Sequence, residues 1–95
     1  MQILTKTIDK RSVAFRLYPD NQVHACVEGV GIERYIASLS ANGSFFMREQ
    51  EWFTFASEVL APMPVPYDSE EAAEMRNQLF GIVCDVATQL RKEAA

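Results

Sequence analysis

His24 is the single histidine of the 95-residue chain, and Cys26 lies two positions beyond it. On a strand this spacing puts imidazole and thiol on one face, the arrangement from which Cys–His nucleophilic chemistry starts. The same spacing arises wherever one face of a strand meets water, so no residue is assigned a catalytic role. A zinc site would need His24, both cysteines (Cys26 and Cys84) and a carboxylate together, and no ligand spacing of that kind is present. Two free thiols, buried or half-buried, are the expected state of the cysteines. Glu49 and Glu51 stand just before Trp52, but a pair of carboxylates alone does not make a glycosidase. The chain has no glycine-rich phosphate loop and no nucleophile elbow. No enzyme activity, metal or cofactor is therefore expected.

Binding chemistry is better represented. Arg16, Tyr18, His24 and Arg34 interleave cationic and ring side chains at strand spacing. On one open sheet face they would stack bases and meet phosphates of a single-stranded nucleic acid. Asp68, Glu70, Glu71 and Glu74 form an acidic cluster. They either start a helix well or imitate a phosphate backbone toward a basic partner. Pro62, Pro64 and Pro66 alternate with apolar residues, a pattern read as a linker that sets the angle between two helices. Of Phe45 and Phe46, one must leave the core side if both lie on a strand. Phe53, off the centre of its helical stripe, joins Phe80 and Cys84 as a candidate patch for a partner or a second copy.

The elements that would position these residues divide the chain in two. Ile3–Ile8 is rich in β-branched residues and predicts a first strand, followed by a polar break at Lys10-Arg11-Ser12. Val13, Phe15 and Leu17 alternate with polar or small neighbours, as do Val23, Ala25 and Val27, and Tyr35, Ala37 and Leu39. These three sets predict the core side of a sheet, with Arg16, Tyr18, His24, Cys26, Glu28, Arg34, Ile36 and Ser38 on the other side. Pro19-Asp20-Asn21, Gly29-Val30-Gly31 and Asn42-Gly43 mark turns. Ser44–Met47 closes the meander, and short connections make neighbouring strands antiparallel. Beyond it, Trp52, Phe55, Ala56 and Val59 predict an amphipathic helix over 48–60. Met75, Leu79, Ile82, Val83, Val86 and Leu90 predict a second one, capped by Asp68 or Ser69, with Asp68 and Glu71 at capping-box spacing. Strands first and helices afterwards predict one α+β domain over 1–95: a four- to five-stranded antiparallel meander in 1–47, then two helices in 48–95 packed on one face.

Charge adds a second asymmetry. The net charge is −4 with a pI near 4.9, which disfavours a strongly basic nucleic-acid binder. Yet residues 1–50 carry six basic groups against five acidic, and residues 51–95 carry three against eight. The acidity belongs to the helical half. No apolar run is long enough for a membrane span. The start, Met1-Gln2-Ile3-Leu4-Thr5-Lys6, lacks a basic region ahead of a long apolar stretch, which predicts no secretory signal and a cytoplasmic protein.

The strand-to-helix segment from Ser44 through Phe45, Phe46, Met47 and Arg48 to Trp52 resembles the junction in compact single-stranded-DNA-binding proteins of the Whirly kind. In those a four-stranded meander runs into a helix. The resemblance implies nucleic-acid binding on the sheet, although the basic residues such proteins concentrate in their strands are sparse here. The residues themselves predict a small non-catalytic module that binds a protein, an acidic inhibitor or regulator of phage or mobile-element type. It would occupy a basic surface of its partner through Asp68, Glu70, Glu71 and Glu74, with homodimerisation expected through the apolar patch. Single-stranded nucleic acid on the open sheet is the alternative.

Overall fold

The computed structural model describes residues 2–40, 45–60, 66 and 68–94. Five strands form one antiparallel sheet in sequential order: β1 (Gln2–Ile8), β2 (Arg11–Leu17), β3 (Gln22–Val27), β4 (Glu33–Leu39) and the two-residue β5 (Phe45–Phe46). Two helices follow, α1 (Glu49–Val59) and α2 (Glu70–Ala94). Both pack on one face, α2 over β1 and β2 and α1 over β4. This is the expected α+β arrangement.

Turn chemistry fixes the strand order. Asp9 and Lys10 both take left-handed φ, 49° and 67°, the backbone that a two-residue hairpin needs to match strand twist. The break therefore falls one residue earlier than the polar run suggests, and Arg11 and Ser12 already belong to β2. Asn21 takes the left-handed position, φ 65°, in the next turn, and Gly29 and Gly31 take it between β3 and β4. The Asn42-Gly43 turn lies outside the described residues, as does most of the proline segment.

The core is built from β-strand alternation and two helical stripes. Val13, Phe15, Leu17, Val23, Ala25 and Val27 are buried on the inner face, against Phe55, Ala56 and Val59 of α1 and Leu79, Val83, Val86 and Leu90 of α2. Phe15 and Phe55 meet edge to face at 6.1 Å across this layer.

Alternation fails once, in β4. Val23 pairs with Ala37 but His24 pairs with Tyr35, so Ile36 is an extra residue on β4. A bulge of this kind reverses the sidedness of everything before it. Ile36 and Ala37 are both fully buried. Tyr35, expected in the core, turns to the open face beside His24, and Arg34, expected on the open face, lies opposite Ala25 on the helical side.

The start of α2 also differs from the capping-box reading. The Ser69 hydroxyl accepts a hydrogen bond from the Ala72 amide at 3.1 Å and donates to the Pro66 carbonyl at 2.7 Å. Ser69 is the cap, which places Ala72, not Glu71, at the third helical position and leaves Asp68 outside. At the other end, Arg91 donates to the Ser40 carbonyl at 2.8 Å, tying α2 to the end of β4. No helix among the described residues is long and apolar enough to cross a membrane.

Candidate functional site

Three surfaces bring polar or apolar side chains together. The first is the open face of the sheet, centred on Glu33. The bulge places Glu33 opposite Cys26, and its carboxylate collects neighbours from two other strands. The Tyr18 hydroxyl lies 2.8 Å from both carboxylate oxygens, Arg16 Nη1 is 3.4 Å away and His24 Nδ1 is 4.0 Å away. His24 is held by rings on both sides, edge-on to Tyr18 at 4.7 Å and to Tyr35 at 5.8 Å. Its Nε2 is 3.2 Å from the Gln22 side-chain oxygen. The Nε of Arg16 is shut off from solvent with no acceptor among the described residues.

Arg16, Tyr18 and His24 thus share the open face, as their spacing predicts. Arg34 does not. It is ion-paired and hydrogen-bonded to Glu58 of α1 on the other side of the sheet, and this contact is the main reason its guanidinium holds its proton even more firmly than usual. The open face carries one arginine rather than two, and that one is neutralised by Glu33.

The second surface is the acidic start of α2. Asp68, Glu70, Glu71 and Glu74 are all exposed, and none makes an ion pair among the described residues. The third is the seam between the helices. Arg76 lies 5.4 Å above the Phe53 ring, and Phe80, 41% exposed, stands edge-on to Trp52 at 5.5 Å. Cys84 is half-buried one turn further along α2. Burial, and secondarily Asp85, pushes its thiol above the ordinary value, which makes it a poorer nucleophile at neutral pH. Phe46 is 64% exposed and lies opposite Ser38, so it is on the open face.

A groove of about 430 Å³ runs between β4 and α1, lined by Glu33, Arg34, Tyr35, Gln50, Glu51 and Thr54. Neither His24 nor Cys26 lines it. Among the described residues no group of three or more His, Cys, Asp or Glu side chains is placed to hold a metal ion. Glu33, Tyr35 and the groove escape a reading based on simple alternation. The signal that could have found them is the adjacent buried pair Ile36-Ala37, which two-residue periodicity does not allow without a bulge.

Comparison with family models, with curated proteins and with solved structures returns no match.

Proposed function

We propose that the protein is a non-catalytic binding module that docks a basic protein surface through Asp68, Glu70, Glu71 and Glu74. The observation that carries this reading is the contrast in charge pairing. The arginines at 16, 34 and 48 are each matched by a glutamate of the same chain, at 33, 58 and 51. The four carboxylates before and within the first turns of α2 are exposed and have no such partner among the described residues. Helix-start chemistry accounts for one or two of them. The remainder form an outward-facing negative surface on an element anchored by its own buried stripe, a rigid support for electrostatic recognition. Such a module acts as an inhibitor or regulator by occupying a surface its partner otherwise offers to phosphate. A sheet-face site for nucleic acid has less to stand on, because Arg34 is on the other side and Arg16 is neutralised.

The test uses the protein as bait against a lysate, with the E70K/E71K/E74K variant in parallel, followed by association kinetics with the captured partner. Steering by opposite charge predicts an association rate about ten-fold or more slower for the variant at low salt, with the difference shrinking as salt rises. Equal rates for the two proteins would remove the acidic surface from the interface.

A further inference from the structure

We infer that the open face of the sheet is the contact between two copies of this chain, stacked face to face about a two-fold axis that runs along β3. Both helices pack on the opposite face, so this side of the sheet has no cover among the described residues. The first support is the state of its polar groups. The Tyr18 hydroxyl donates to Glu33, His24 Nε2 is 3.2 Å from the Gln22 side-chain oxygen, and the Tyr35 and Ser38 hydroxyls bond each other at 2.6 Å. Arg16 and Glu33 cancel each other's charge at the centre. Polar side chains that already satisfy one another lose little when water is excluded. The two rims are apolar: Ile3 on β1 is 52% exposed and Phe46 on β5 is 64% exposed. Both point to the open side, since their ladder partners are Arg16 and Ser38. A strongly charged partner would find no net charge to meet at the centre of such a face.

The second support is the strand order, which makes the face complementary to itself. With the sequence β1-β2-β3-β4-β5, a two-fold axis along β3 lays β1 over β5 of the second copy, β2 over β4 and β3 over β3. Ile3 of each copy then lies over the strand that carries Phe46 of the other, so both exposed apolar side chains are covered. Arg16 on β2 lies over β4 of the second copy, which carries Glu33, and the same contact repeats on the other side of the axis. The two Arg16–Glu33 dipoles are thereby antiparallel, the attractive arrangement for stacked charge pairs. The third support is area. Strands β1 to β4 are six or seven residues long, and with β5 they make a face of roughly 24 by 20 Å at ordinary strand spacing and rise. With the relief of its side chains, this surface is of the same order as the roughly 800 Å² that each partner of a stable interface buries. Two sheets stacked in this way pack about 10 Å apart, as in a β-sandwich.

Sedimentation of the full chain across the micromolar range is expected to show a monomer–dimer equilibrium. Ile3→Glu and Phe46→Glu, both at exposed positions, each bury an unpaired charge in the contact. Each should weaken dimerisation about ten-fold or more with an unchanged circular dichroism spectrum. The E70K/E71K/E74K variant should dimerise as the parent does, because the start of α2 is on the other side of the sheet. The axis also brings Cys26, half-buried on β3, opposite Cys26 of the second copy. A short bismaleimide should therefore join the two copies, in a product that Cys84→Ser keeps and Cys26→Ser loses. A chain that stays monomeric at every concentration, or a dimer indifferent to both glutamate substitutions, would overturn the sheet-face contact. So would a dimer that cross-links through Cys84 or yields no Cys26 product. Each of these results leaves the acidic-surface reading intact.

Discussion

Arg34 carries its charge on the helical side of the sheet because its ladder partner is Ala25, and Glu58 of α1 is there to receive it. Glu58 is the more buried member, with its side chain 17% exposed against 35% for Arg34. Removing the arginine leaves a shielded carboxylate with nothing to satisfy it, and that asymmetry is testable. Arg34→Met should destabilise the fold by about 1 kcal/mol, the upper end for a pair still in reach of solvent, and Glu58→Met, which leaves the more exposed partner, by less. The double variant R34M/E58M should recover most of the loss, because no lone charge remains. Urea denaturation of the two single variants and the double variant measures the coupling; a strictly additive cycle would mean the contact contributes nothing. At this scale the sequence is a partial guide. Arg16, Tyr18 and His24 are legible as neighbours because plain alternation holds through β2 and β3. Glu33 and Tyr35 are not, because one inserted residue, Ile36, exchanges the two faces before it, and its one trace in the sequence is the adjacent apolar pair Ile36-Ala37.

The elements themselves are easier to read, since hydrophobic periodicity is a repeated signal and a bulge is a single event. The strands β1 to β4 and both helices follow from patterns several residues long, whereas helix ends rest on one or two side chains. The start of α2 illustrates this. Asp68 and Ser69 are both good caps by residue type, and only the placed Ser69 hydroxyl, accepting from Ala72 and donating to Pro66, decides between them. Ser69→Ala should therefore lower stability by about 1 kcal/mol, whereas Ser69→Asp, which keeps an acceptor at that position, should cost much less. Asp68→Ala, if Ser69 alone is the cap, should shift the urea midpoint little. An Asp68 effect as large as that of Ser69 would show that the capping assignment is wrong.

Across the whole molecule, the helices do different work for the sheet. The stripe of α2 from Leu79 to Leu90 covers β1 and β2, and Arg91 fastens its end to Ser40. The shorter α1 covers β4 and is held mainly by Phe55, Ala56 and Val59. Phe55 is fully buried and packs against both Phe15 and Trp52, at 6.1 and 6.0 Å between ring centres. Because α1 is also the wall of the β4 groove, its anchor controls the groove's shape. Phe55→Ala removes that anchor and should cost about 3–5 kcal/mol, a large share of the total for a chain of this size, about 5–15 kcal/mol. The loss should be uneven. Native-state hydrogen exchange should show Trp52–Val59 losing protection before Val83–Leu90, since the α2 stripe keeps its own contacts with β1 and β2. Phe55→Leu, which retains most of the buried volume, should keep α1 protected. If instead both helices of the Phe55→Ala variant exchange together at one free energy, α1 and α2 belong to a single cooperative unit, and the groove wall cannot loosen without the rest of the fold.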